Sequence, residues 1–464
     1  MSAGGFGLVA GFGLITLSLV CMAWLPGADA TPWPLLPLWL SAFAGYALAV
    51  RAVARDDAYA RGGGSAGAAG RVSFGGVWAG AVAVRLALLP ATPSLSEDIY
   101  RYMWDGWVAQ NGVNPFLFAP EALELATLRT DWWALINHPS VPTIYPPGAQ
   151  DVFLLLAWVA PAWIVFKLAW IVADLGVGWL VGRLAEGAAP GRVSLVTLLY
   201  LWNPLLIAEV AWSGHFEPLG IAVMLGAVLV LGRGDSPLTA SPVDASPDRE
   251  RSRTGAVRGW FGGALLGLGG AIKFAPLAAI PALWRRRGPV PALLAIAVPA
   301  LLYLPYAGAG RRLFAGLSTY ADTWEFNAGI YRLLALLPEI GILDLGRAVG
   351  GAIVAGVALR AADRRWGPGR TLYWTIGAAL LVSPTIHPWY VLWILPFACL
   401  YGGTAWILFT ATVTLAYWGR DAFLATGVWP EPAWLTALIH VPVLAMLVRE
   451  RARSGRGSLS AAAD

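Results

Sequence analysis

Charge is scarce in this sequence. Of its 464 residues, 13% are Asp, Glu, Lys or Arg and 58% are hydrophobic. Soluble domains carry about 25% charged residues. A water-soluble protein of this length would need far more polar surface, which excludes a soluble enzyme built around one large core. Cysteine is scarcer still. Cys21 and Cys399 both fall in apolar runs, so they read as two core residues and not as a disulfide or a thiolate metal site. No nucleotide-sugar or ATP motif occurs. "GLGGA" at 267–271 follows no strand, so its glycines read as helix packing and not as a dinucleotide turn. No contiguous basic face accompanies the net charge of +5, which leaves nucleic acid without a footing. The first thirty residues end in Ala-x-Ala but lack the positive start of a signal peptide, so they read as a retained helix.

What is there is a series of apolar runs, roughly 17–25 residues long, which predict an all-α polytopic membrane protein of about 12–14 transmembrane segments. The stretch 149–184 is read as one long segment bent at Pro161. Arginines cluster in short loops, at 51–61, 249–253, 285–287, 360–370 and 449–456, as in cytoplasmic loops facing anionic lipid. Alternating sides from there puts both termini in the cytoplasm and the loop 91–148 outside. The predicted organisation is N-terminal transmembrane helices over 1–71 and a second module over 72–231. A disordered Pro/Ser/Arg-rich linker follows over 232–258, then C-terminal transmembrane helices over 259–448 and a basic tail over 449–464 that is read as disordered.

Against that apolar background, "SLSEDIYRYMWDGWVAQNGVNPF" at 94–116 is conspicuous. Ser96 before two acids signals a helix start. Asp98, Tyr102 and Asp105 recur at i, i+4 and i+7 on one face, and Arg101 can pair with Asp105. Trp104, Trp107 and Val108 suit an interfacial surface, so the segment reads as an amphipathic helix lying at the outer membrane surface. A carboxylate held there can meet a lipid-linked substrate and take a proton from an acceptor hydroxyl.

Other polar residues fall on the same side. Tyr145-Pro146-Pro147 makes a rigid entry to the next helix. Glu209, His215 and Glu217 interrupt an apolar stretch, Lys273 stands alone between two runs, and His387 sits between prolines. Ionisable groups at membrane depth are costly, about 2.5–3.5 kcal/mol each, so each requires a partner or a role. Lys273 and Arg85 are the candidates to hold a lipid phosphate. Tyr102, Tyr145, His215, Glu217 and His387 are candidates to position substrate. No ligand spacing supports a metal site, and lysine and arginine suffice for a phosphate, so no cofactor is required.

The segment "SEDIYRYMWDGWVAQNGVNPF" resembles the first outer loop of the bacterial polyprenyl-phosphate-mannose-dependent mannosyltransferases of the GT-C superfamily, related to glycosyltransferase family 87. "TIYPPGAQ", "NPLLIAEVAWSGHFEPL", "KFAPLAAIP" and "SPTIHPWYVLWILP" resemble further blocks of that pattern, in the same order. The resemblance implies a GT-C helical bundle in the plasma membrane with its active site outside. It also implies inverting transfer of a sugar, most readily mannose, from a polyprenyl-phosphate donor to a glycan or glycolipid acceptor. The family's catalytic acid lies in this loop and falls on Glu97-Asp98, with Asp98 or Glu97 as the base. The sequence departs from the pattern in having Glu97 for the first of two aspartates, Glu217 for the aspartate of a Gly-His-x-Asp motif, and Trp107 where an arginine is common. The alternative reading is a transporter or flippase of a lipid-linked sugar, which would place its charges near the bilayer midplane in both halves. Here they gather towards one face.

Overall fold

The computed structural model describes residues 3–24, 35–61, 74–232, 253–340 and 343–460. The linker expected over 232–258 falls mostly outside these. The chain is 80% helical with almost no strand, as expected of an all-α membrane protein. Two helices open it, α1 (Ala3–Trp24) and α2 (Leu35–Arg61). They are followed by α3 (Phe74–Leu88), α4 (Asp98–Gln110), α5 (Pro147–Val159), α6 (Trp163–Ala188), α7 (Val193–Leu201), α8 (Pro204–Ile207), α9 (Glu217–Gly232) and α10 (Arg253–Ile272).

Among the described residues, five helices are long and apolar enough to cross a bilayer. Two bent pairs bring the number to seven, and α3, α5 and α9 are shorter apolar helices. The count expected from apolar runs is higher because proline and glycine divide several runs into short pieces. Pro190–Leu201 and Pro204–Trp212 meet at 49°, and Pro289–Leu302 and Leu304–Thr323 at 88°. At the first break Asn203 caps α8, its side-chain oxygen accepting from the amides of Leu205 and Leu206, and Pro204 starts the helix where no amide donor is needed.

The stretch 149–184 is not one bent segment. Ala160–Ala162 separates α5, a 13-residue helix, from α6, a 26-residue helix long enough to span. Proline at 161 removes a helical donor, and Ala160 and Ala162 turn extended. Helix α5 packs against α4 instead. A Cβ on Gly106 would stand 2.3 Å from the Phe153 carbonyl oxygen, so only glycine allows that approach. Gly267 likewise lets α10 approach the Ala295 backbone, in keeping with a packing role for "GLGGA".

Helix α4 is also more enclosed than expected. Trp104 and Val108 are buried, with Trp104 edge-on to Trp132 of the long loop, and the Trp107 indole donates to the Leu128 carbonyl. The loop 111–146 folds back over the face expected to meet lipid. The basic tail differs as well: the last helix runs Ala433–Ser460, carrying residues 449–460 as helix and not as a disordered segment.

Candidate active site

The α4 N-terminus, the loop 134–146, the turn after α10 and the segments 317–326 and 387–390 enclose a cleft of about 640 Å³. Of the residues singled out in the sequence, Glu97, Asp98, Arg101, Tyr102, Tyr145, Lys273 and His387 line it. Arg85, Asp105, His215 and Glu217 do not.

Asp98 is the first residue of α4, after Glu97 at the N-cap position, which makes no side-chain cap bond; Ser96, expected as the cap, stands one residue earlier and only accepts from the Asp98 amide at 3.3 Å. Asp98 Oδ1 accepts from the Asn137 amide at 2.6 Å, and its Oδ2 is 3.4 Å from the Tyr102 hydroxyl. The side chain retains 19% exposure towards the cleft. Burial pushes its pKa up to about 6. Glu217 and Glu97 push the same way, while the Asn137 bond and Lys273 oppose. An aspartate poised near 6 is charged at neutral pH yet basic enough to accept a proton. Glu97 is more open, with 37% side-chain exposure and Arg420 at 3.6 Å.

Arg101 and Asp105 pair at 2.9 Å, as their spacing suggests. Asp105 also accepts from Thr143 at 2.6 Å and Gln150 at 2.9 Å, while Arg101 donates to the Val141 carbonyl at 2.9 Å. This buried network ties the cleft-forming loop to α4 and α5. Tyr102 stacks on Phe153, with Tyr145 and Phe216 edge-on to its ring.

Lys273 follows α10 and turns into the cleft, where its ammonium is ion-paired with the buried Glu217 and lies 5.0 Å from the centre of the Tyr390 ring. An ammonium has three donors, so this pairing leaves capacity for a second anion. His215 is fully buried behind the cleft wall, stacked on Trp389 at 3.9 Å. His387 completes a row of rings, 4.7 Å from Phe326 on one side and 4.5 Å from Trp389 on the other. Burial, with Lys273 and His138 adding to it, depresses its pKa to about 3, so it presents an uncharged ring.

Arg85 corrects the expectation of a second phosphate-binding cation. It has no exposure and pairs with Asp174 of α6 at 2.6 Å, and its guanidinium also donates to the carbonyls of Ala81 and Leu201. Its partner lies 89 positions away, beyond the reach of helical spacing. Asn137, Tyr320 and Tyr417 were not singled out from the sequence, yet all line the cleft. Only the position of Asn137 beside the Tyr145-Pro146-Pro147 block hinted at it. Among the described residues, no group of three His, Cys, Asp or Glu side chains gathers to hold a metal ion.

Residues 6–285 match the family described as alpha-(1->6)-mannopyranosyltransferase, N-terminal domain. The chain belongs to this mannopyranosyltransferase family. Among similar proteins, a probable alpha-(1->6)-mannopyranosyltransferase of Mycolicibacterium smegmatis is 24% identical over 363 residues, covering 67% of this chain and 62% of that protein. An alpha-(1->6)-mannopyranosyltransferase of Mycobacterium tuberculosis is 26% identical over 375 residues, covering 68% and 63%. The chain thus spans under two thirds of the length of these curated relatives. No solved structure matches. The mannopyranosyltransferase domain match includes Asp98, His215, Glu217 and Lys273. Tyr320, Phe326, His387, Trp389, Tyr390 and Tyr417 build the opposite wall from beyond it.

Proposed function

We propose that the chain transfers mannose from a polyprenyl-phosphate donor to a glycan or glycolipid acceptor at the outer face of the plasma membrane, inverting the anomeric carbon. The observation that carries this reading is a single cleft holding both halves of the required chemistry: the poised carboxylate of Asp98 and the ammonium of Lys273. Membership of the mannopyranosyltransferase family supports the sugar.

In this reading the acceptor hydroxyl attacks the anomeric carbon from the face opposite the phosphate. Its proton passes to Asp98 as the new glycosidic bond forms. The bond from the anomeric carbon to the phosphate oxygen breaks, and a polyprenyl phosphate monoester leaves. That monoester gains negative charge in the transition state, where a fixed ammonium stabilises it more than it stabilises the donor. Asn137 holds Asp98 in place, and Glu217 holds Lys273 until the phosphate arrives. The aromatic wall of Tyr320, Trp389 and Tyr390 offers apolar faces and hydroxyls to sugar rings. Glu97, at the open rim, is the alternative base.

The test is to supply purified full-length protein with radiolabelled polyprenyl-phosphate mannose, with glucose, galactose and arabinose donors beside it, and a panel of lipid-linked glycans. Transfer from the mannose donor, with inverted configuration in the product by NMR, supports the proposal. Movement of intact donor across proteoliposomes without transfer would establish the flippase alternative in its place.

A further inference from the structure

Beyond His387 the row of rings in the cleft wall continues outwards. Phe326 follows at 4.7 Å, Trp429 stands edge-on to Phe326 at 5.3 Å, and Phe423 lies 5.4 Å beyond Trp429. All three line the cleft. Trp429 is half-buried, and Phe423, 36% exposed, reaches the rim. Each spacing is close to the length of one hexose unit in a glycan chain.

These rings are fixed from behind. The Phe326 amide donates to the Pro384 carbonyl at 3.0 Å, and the Phe326 carbonyl accepts from the Ile386 amide at 2.8 Å, which pairs its segment with the one leading into His387. Glu431, two residues after Trp429, accepts from the Asn327 amide and from the Arg332 guanidinium, each at 2.8 Å. The Trp429 indole lies on Gly419, where a Cβ would stand 2.4 Å from its Nε1, so a side chain at 419 would displace it. The next residue, Arg420, is 3.6 Å from Glu97. The outer rings therefore share one rim of the cleft with the start of α4. Aromatic faces held this way lose little entropy when a ligand lies on them. They suit the C–H faces of sugar rings, and the paired charges of Glu97 and Arg420 suit neutral hydroxyls.

The phosphate end lies the other way. Tyr390 is edge-on to His387 at 5.3 Å, and the Lys273 ammonium is 5.0 Å from the centre of the Tyr390 ring. Two arms thus leave His387, one to Lys273 and one to the rim. In an inverting transfer the acceptor approaches the anomeric carbon from the side opposite the phosphate, which puts it on the rim arm.

We propose that Phe326, Trp429 and Phe423 form an acceptor track for a glycan chain of two or more hexoses, whose terminal hydroxyl reaches Asp98 while the sugar behind it lies on Trp429. This deepens the reading of the cleft as a site of inverting transfer with the donor phosphate at Lys273, and rests on it. Trp429 selects the acceptor by length and takes no part in the chemistry. A single sugar reaches Asp98 without touching Trp429 and gains nothing from it.

The test is an NMR titration of full-length protein in lipid nanodiscs with methyl glycosides of mannose and glucose, as monosaccharides and as linear trisaccharides. In the wild type a trisaccharide should bind about tenfold more tightly than its monosaccharide, and Trp429→Ala should erase that preference without changing monosaccharide affinity. Trp429→Phe should keep part of it. Polyprenyl phosphate is the control, with the same Kd expected in every variant. Absence of a trisaccharide preference in the wild type overturns the proposal. So does a Trp429→Ala variant that keeps the preference, or one that weakens monosaccharide, trisaccharide and polyprenyl phosphate alike. Phe423→Ala, at an exposed position, should also reduce the preference, and decides the matter should Trp429→Ala fail to fold. None of these titrations requires transfer. A wild type that transfers no sugar, yet prefers trisaccharides through Trp429, would refute the enzymatic reading and leave the track. Normal transfer with a preference untouched by Trp429→Ala would refute the track alone.

Discussion

Lys273 enters the cleft already paired: its ammonium contacts Glu217, a carboxylate with no solvent exposure of its own. The pairing makes a lone cation tolerable at this depth and keeps it aimed. In the proposed reaction an arriving phosphate would share the ammonium with Glu217. Replacing Lys273 by Met should weaken donor binding about tenfold or more, the loss of one charge-assisted hydrogen bond. Glu217→Gln should bind donor no worse than wild type but hold Lys273 less firmly, so its loss should fall on kcat. Donor titration by isothermal calorimetry, beside steady-state kinetics, separates the two. Equal donor affinity in Lys273→Met and wild type would remove lysine from the phosphate site.

The raised pKa of Asp98 has consequences for both rate and stability. If Asp98 is the base, as proposed, transfer needs its carboxylate, and kcat/KM should fall as the pH drops below about 6. Stability moves the other way. Between the ordinary value of 3.8 and about 6, the folded chain holds a proton that the unfolded chain has released. This group therefore destabilises the fold increasingly as pH rises through that window, and the cost is complete above it. Asp98→Asn should melt at a higher temperature than wild type at pH 7.5, with the gap closing towards pH 4. Thermal unfolding in detergent across that range checks it, and a lower melting temperature at pH 7.5 would contradict the burial argument.

Arg85 and Asp174 should matter for folding alone. Removing one partner of a buried pair leaves an uncompensated charge, at a cost of about 3–5 kcal/mol. Arg85→Leu should therefore unfold at markedly lower temperature, and Arg85→Leu with Asp174→Leu should recover much of the loss. Donor affinity in the folded fraction should be unchanged. Weakened donor binding in a well-folded double variant would return Arg85 to the phosphate site.

Much of α4 was legible in the sequence because its chemistry is local. The i, i+4 spacing foretold the Arg101–Asp105 pair, and the two acids after Ser96 marked the helix start to within one residue. The enclosure of α4 was not legible, because it depends on how the loop 111–146 folds back, and aromatic residues read equally well as lipid-facing or core. The same limit hid the Asp174 partner of Arg85 and the burial of His215. Both are set by contacts between helices far apart in sequence. Proline at 161 was visible, but whether it bends or ends a helix depends on what the flanking pieces pack against, and α5 found α4. Tyr417 and Tyr320 gave no signal, since a tyrosine in an apolar run is ordinary until the fold turns it towards a carboxylate or a cleft.

The central claim is that Asp98 takes the acceptor's proton in this cleft. Its most direct measurement is label transfer from polyprenyl-phosphate mannose by wild type, Asp98→Asn and Glu97→Gln, each first shown to bind donor. The account predicts a loss of about 10²–10⁴-fold in kcat for Asp98→Asn at wild-type donor affinity, and a far smaller loss for Glu97→Gln. Near-normal turnover by Asp98→Asn would contradict it.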